Sequence, residues 1–243
     1  MLAWLPIGLW AGDFDYVLTP VSRGTFARQL YQWLFYGGLL AVFVDSWRRH
    51  APQRPSWGRW KQFLVYFAQG VVASVVLRVV LAQLGLAGWS RPEYGLLEIL
   101  GILVGCVAVA VVEEAVFRGF ILGHLVSKFG WNKGAMLTSG LFAVVHLFRP
   151  GDARFKLMYF LGLFLLGYLL AAIAWHHNSV LASAGFHGGA ILLNLWLRLD
   201  AFQSSVLAGW NSEPLSGVVS IALTALFFVG WRVVTRKTHA KSS

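Results

Sequence analysis

The chain alternates long apolar runs with short polar turns. A helix that crosses a membrane needs about 20 mostly apolar residues, and about seven runs approach that length. They are Leu30 to Asp45, Phe63 to Leu84, Tyr94 to about Lys128, Gly134 to Phe148, Phe155 to Trp175, Val180 to Leu197 and Pro214 to Val234. The third is too long for a perpendicular span, so it is expected to tilt or project from the bilayer. The opening stretch, MLAWLPIGLWAGDFDYVL, lacks the basic start of a signal peptide, and Pro6, Asp13 and Asp15 interrupt it as a span. Its Trp4 and Trp10 suit the headgroup layer. It reads as an interfacial or re-entrant segment, with an eighth span as the alternative. The expected fold is all-α, a polytopic transmembrane helix bundle built as one integral membrane domain over residues 1–243.

Composition sharpens this picture. Hydrophobic residues make up 58% of the chain and charged residues 12%, against roughly 45–50% and 25% in soluble domains. This argues against a water-soluble globule and excludes a disordered chain. The net charge of +10 would suit nucleic acid, yet the 20 Lys and Arg residues sit in short loops rather than on one face. They read as topology signals. Arg48, Arg49, Arg54, Arg59 and Lys61 join the first two runs, Lys128 and Lys133 follow the third, and Arg232, Arg236, Lys237 and Lys241 end the chain. With seven spans these clusters share a side, expected to be cytoplasmic in a multi-pass protein of a bacterial inner membrane. Arg149, Arg154 and Lys156 fall opposite, partly offset by Asp152. The single cysteine, Cys106, allows no intrachain disulfide and no cysteine zinc cluster.

Ionisable groups inside apolar runs are costly and persist where they pair, line a cavity or do chemistry. Here they are Arg78, Glu98, Glu113, Glu114, Arg118, His146 and His187. In AVVEEAVFRGF, neighbours on a helix point about 100° apart, whereas residues four apart share a face. Glu114 and Arg118 are therefore expected to form an ion pair, leaving Glu113 on another face as a base for activating water. If the third and fourth runs turn near residues 126 to 133, Glu113 and His146 both lie about 18 Å from that turn. His187 lies at a comparable depth in the sixth run, about 12–15 Å from the turn before it. The three side chains are expected to converge, with Gly185, Gly188 and Gly189 permitting close helix approach. Asn194, two turns after His187, is a candidate polar donor or an interhelical amide. His176 and His177 read as solvated turn residues, and Arg78 and Glu98 as a pair or as snorkelling side chains.

Several chemistries remain open at this point. Both glutamates can brace the bundle, and buried Glu and His can serve a transporter or a non-catalytic binding protein. Glu113, His146 and His187 also make a His₂Glu set of the kind that holds catalytic zinc, although no HExxH helix is present. Ser139 and Ser183 lack the frame of a rhomboid-type nucleophile.

These residues carry a resemblance. The sequence resembles the CPBP family of intramembrane glutamic proteases, the CAAX prenyl endopeptidase and bacteriocin-processing group also called Abi proteins. The Glu-Glu-x-x-x-Arg motif is matched by Glu113, Glu114 and Arg118, and Phe-x-x-x-His by Phe142 and His146. The later membrane histidine is matched by His187, but Ile191 stands four positions on, where the family usually has Asn or another small polar residue. The resemblance covers about residues 94 to 200. It implies hydrolysis of a peptide bond near the C-terminus of a membrane-attached or membrane-inserted substrate, without a cofactor. In that reading Glu113 and His146 activate water, and His187 with a nearby amide stabilises the oxyanion. Glu114, Arg118, Phe142 and Asn194 support the site.

Overall fold

The chain divides into two compact units, Met1–Pro52 and Gln53–Ser243. The computed structural model describes residues 55–88, 95–147, 152–196, 205–210 and 213–240, together with Gly38 and Ala41. The opening segment lies outside these residues, and of the run Leu30 to Asp45 only Gly38 and Ala41 are described, both helical. In the second unit the elements are α1 (Trp60–Gln83), α2 (Leu96–Glu114), a π-helical segment (Ala115–Leu122), α3 (Gly123–Val145), α4 (Ala153–His177), α5 (Val180–Trp196), a 3₁₀ turn (Pro214–Ser216) and α6 (Val218–Ala240). The fold is all-helical, and among the described residues the extended pairings are the isolated bridges Ser205–Gly209 and Trp210–Glu213.

Among the described residues, three helical stretches are long and apolar enough to cross a membrane: Trp60–Gln83, Ile99–Val145 and Ala153–His177. Val180–Leu192 and Val218–Trp231 are shorter apolar helices. The third expected run, to about Lys128, is one helical path through α2, the π segment and the start of α3. The turn expected near 126 to 133 is made by Gly130, whose φ of 76° and ψ of 168° break the helical path. Only glycine enters that region without steric cost. The two arms close tightly beyond it, since a Cβ on Gly134 would stand 2.7 Å from the backbone nitrogen of Val126.

The apolar residues of α4 face inward almost throughout its second half, where Leu169, Leu170, Ala171, Ala172, Ile173 and Ala174 are all buried. Helices α1, α2 and α3 instead expose Leu64, Val72, Leu100, Val104, Leu137 and Val144. In a bilayer such residues meet acyl chains, so their exposure carries no penalty.

Helix α5 is held most closely by α1. A Cβ on Gly185 would lie 2.2 Å from the carbonyl oxygen of Phe63, and one on Gly189 would lie 2.1 Å from that of Phe67. Small residues let backbones meet in this way, and in lipid such packing replaces the hydrophobic drive. Ser74 adds a hydrogen bond to the carbonyl of Ala190 at 3.0 Å. The start of α5 is capped from a distance, because Val180 N–H donates to the Ser56 carbonyl at 2.8 Å and Leu181 N–H to that of Trp57 at 3.0 Å. Residues 206 and 207 cap α6 likewise, accepting from Val218 at 3.0 Å and Val219 at 3.2 Å. Without water, helix-terminal N–H groups must find such partners.

Two sequence expectations are corrected here. His176 and His177 are not solvated turn residues: they end α4, with Asn178 closing it in the left-handed conformation at φ 47°. Both rings are half-buried against Trp231, and His177 Nε2 is hydrogen-bonded to the Tyr66 hydroxyl. Their aromatic bodies pack as an interfacial cluster, which the local polarity of WHHNS concealed. Arg78 does not snorkel; it is buried. The Glu98 side chain lies outside the described residues.

Candidate active site

Glu113 and Glu114 end α2, and the π-helical segment begins at the next residue. Single wide turns of this kind shift the phase of the residues that follow and recur at functional sites. Arg118 lies within it and stays on the Glu114 face: its Nη1 lies 2.7 Å from Glu114 Oε1, and both side chains are fully buried. The ion pair expected from the spacing is present. Arg118 Nη2 also donates to the Gly167 carbonyl of α4 at 3.0 Å. Its guanidinium carbon sits 4.5 Å from the centre of the Phe142 ring, within cation–π range.

Phe142 is fully buried in a cluster with Phe117, Ala143, Phe155, Tyr159 and Leu163. Its ring packs edge-on to that of His187 at 5.8 Å and tilted against that of His146 at 4.6 Å. One aromatic side chain therefore packs against the guanidinium and both imidazoles.

His146 caps the C-terminal end of α3. Its Nδ1 lies 2.7 Å from the Phe142 carbonyl oxygen. A carbonyl only accepts, so Nδ1 carries a proton, and in the neutral ring Nε2 is then the unprotonated nitrogen. That Nε2 lies 3.9 Å from Glu113 Oε2. His187 Nε2 lies 3.9 Å from the same oxygen. On its other side, His187 Nδ1 meets Glu114 Oε1 at 3.0 Å. The expected convergence of Glu113, His146 and His187 is thus present, from three separate helices.

The site is graded in burial. The His146 side chain is 23% exposed and that of Glu113 11%, whereas Glu114 is 0% exposed and His187 5%. The edge holding Glu113 and His146 is reachable, and the charged pair behind it is sealed. Among the described residues, no three His, Cys, Asp or Glu side chains form a group suited to a metal ion. Ser139 and Ser183 are both fully buried, and their hydroxyls donate within their own helices, to Ala135 at 2.7 Å and Val180 at 2.9 Å. The backbone of Asn194 belongs to α5, and its side chain lies outside the described residues.

Sequence reasoning did not reach Gly167, whose carbonyl accepts from Arg118, nor the strap at Ser56 and Trp57 that seats the helix of His187. The glycine signal was available: a Cβ on Gly167 would stand 3.2 Å from the Phe142 ring. The strap left none, because its contribution is backbone carbonyls.

Residues 95–193 match the family model for type II CAAX prenyl endopeptidase Rce1-like proteins. Over that stretch the chain is similar to Rce1-like proteins. The match contains α2, the π segment, α3, α4 and α5 as far as residue 193, and so every residue placed above around Glu113. It agrees with the resemblance carried by the glutamate, Phe-x-x-x-His and later histidine motifs. The Rce1-like family is a protease family, and with the apolar helices it supports an integral membrane peptidase of the CAAX protease type. No curated protein and no solved structure matches the chain.

Proposed function

We propose that the protein is a glutamate-dependent intramembrane endopeptidase that cleaves near the C-terminus of a membrane-attached or membrane-inserted substrate. The observation that carries this reading is the shared approach of two imidazole Nε2 atoms, from His146 and His187, to Glu113 Oε2 at 3.9 Å each. The Rce1-like match over residues 95–193 supports the reaction class.

The geometry suits activation of water. A water about 2.8 Å from both Glu113 Oε2 and His146 Nε2 would span that 3.9 Å gap at an angle of about 90°. Both atoms can accept, so one water proton passes to this pair as its oxygen attacks the scissile carbonyl. The C–N bond then breaks, and the same proton goes to the leaving amine. Hydroxide supplies the new carboxyl oxygen, so atoms and charge balance.

The oxyanion formed on attack needs a donor, and His187 can provide one only from Nε2–H. Its Nδ1 is engaged by Glu114, which leaves Nε2 as the ring nitrogen turned to the Glu113 edge.

The basic clusters at Arg59 and Lys61 and at Lys128 and Lys133 fall at one end of the helices, and we assign that end to the cytoplasm. The test uses purified protein in liposomes and quenched-fluorescent C-terminal tail peptides, prenylated and unprenylated. Cleavage by the native protein and loss of at least about 10²-fold with Glu113→Gln, which keeps the shape and removes the charge, are expected. Near-native cleavage by a folded Glu113→Gln protein would sink the mechanism.

A further inference from the structure

We infer that Ser183 is a positioning residue for the catalytic set, holding the carboxylate that orients His187; the inference rests on the protease reading above. Glu114 is completely buried, and its Oε1 receives both Arg118 at 2.7 Å and His187 at 3.0 Å. Its other oxygen, Oε2, has no hydrogen-bond partner among the described residues. A carboxylate oxygen sealed from water without a donor is destabilised, and Glu114 is held by hydrogen bonds at one oxygen alone. Any rotation of Glu114 would carry His187 with it.

One hydroxyl is placed to end that freedom. Ser183 is fully buried and precedes His187 by one helical turn, so the two side chains share a face of α5. His187 meets Glu114 from that same face at 3.0 Å, so the buried Ser183 hydroxyl lies on the side of α5 turned toward the carboxylate. It now donates to the Val180 carbonyl at 2.9 Å, an acceptor that the helix ladder of α5 already serves. Turning the O–H toward Glu114 leaves no helical bond broken and gives Oε2 its missing donor. Helix α5 then grips the carboxylate at two points, through His187 Nδ1 and Ser183 Oγ, and Arg118 holds it from the π segment. The carboxylate is thereby fixed at both oxygens while water attacks and the oxyanion forms beside His187.

This role makes a specific kinetic signature. Ser183 does not touch substrate, so Ser183→Ala should lower kcat about tenfold, the usual effect of losing a hydrogen bond to a charged group, and leave KM within about twofold. Ser183→Cys retains the volume but donates weakly, and should behave like the alanine variant. In a Glu114→Gln background Ser183→Ala should change the residual rate less than about threefold, because its effect passes through the carboxylate. Thermal unfolding of the same four proteins in detergent gives a second cycle, and the Ser183→Ala loss of Tm should shrink when Glu114 is already replaced. Native kcat in Ser183→Ala, full activity in Ser183→Cys, or additive Tm losses would each overturn the inference. The arms separate the two claims: if Glu113→Gln abolishes cleavage and Ser183→Ala does not lower it, the protease reading stands and this one falls. If no tail peptide is cleaved at all, the Tm cycle alone decides Ser183.

Discussion

Glu114 links Arg118 to His187 through a single oxygen, with Oε1 2.7 Å from Arg118 Nη1 and 3.0 Å from His187 Nδ1. The glutamate that looks like a duplicate in the sequence is thus the one that joins the ion pair to the histidine. Glu113 is left to face the open edge. Adjacent positions on a helix diverge by about 100°, and here that divergence separates a sealed carboxylate from one at the open edge.

Breaking the pair from the arginine side should cost stability first. Arg118 is fully buried, ion-paired to Glu114 and bonded to Gly167. Arg118→Leu leaves Glu114 charged and uncompensated, a loss of about 3–5 kcal/mol for a buried pair. Replacing Glu114 by Gln in the same protein should recover part of the Tm without recovering activity, because His187 still lacks its carboxylate. A double variant no more stable than Arg118→Leu alone would show that the pair does not carry the fold.

The α1–α5 seam offers a steric test. Gly189→Ala puts a Cβ 2.1 Å from the Phe67 carbonyl oxygen, and overpacking of this kind costs about 1–3 kcal/mol. Because Gly189 sits two residues from His187, cleavage should fall together with Tm. Gly101→Ala in α2 is the control, since a Cβ there meets nothing within 4 Å; its Tm should stay level or rise slightly, as alanine is the better helix former. Equal Tm for Gly189→Ala and the native protein would mean that the seam is looser than described.

The degree to which the site was legible follows from its physics. Charge is so costly in an apolar run that Glu113, Glu114, Arg118, His146 and His187 announced themselves, and the four-residue spacing of Glu114 and Arg118 fixed their shared face. The turn at Gly130 and the close approach at Gly185 and Gly189 were visible in the same way. The π-helical segment was not, because no side chain encodes one extra residue per turn. Nor was the bond from His187 to Glu114 rather than to Glu113 alone, since depth along a helix says nothing about rotation around it. His176 and His177 misled because polarity in sequence hid rings that pack on Trp231.

Metal dependence separates two uses of one residue set. Water activation by Glu113 and His146 needs no Lewis acid, and Arg118 behind Glu114 disfavours another cation nearby. Cleavage after exhaustive treatment with EDTA and phenanthroline should stay within about twofold of the untreated rate. Loss of activity that zinc restores would instead assign Glu113, His146 and His187 to a His₂Glu centre.

The second donor to the oxyanion gives the last prediction. The position four residues after His187 is Ile191, an apolar side chain, and the next amide is Asn194. Residues seven apart lie within about 20° on a helix, but their backbones are about 10 Å apart along the axis, against about 6 Å for four. One small oxyanion is poorly served across that distance, and α5 offers no shortening because His187 is itself anchored at Nδ1 by Glu114. Asn194→Ala should therefore reduce kcat less than about tenfold, while His187→Ala should reduce it by at least about 10²-fold, the scale of a lost oxyanion donor. The comparison is made at saturating substrate, with Tm measured on both variants so that loss of fold is not read as loss of chemistry. If Asn194→Ala were as damaging as His187→Ala in a folded protein, the axial distance would not be the limit and the amide would belong to the catalytic set.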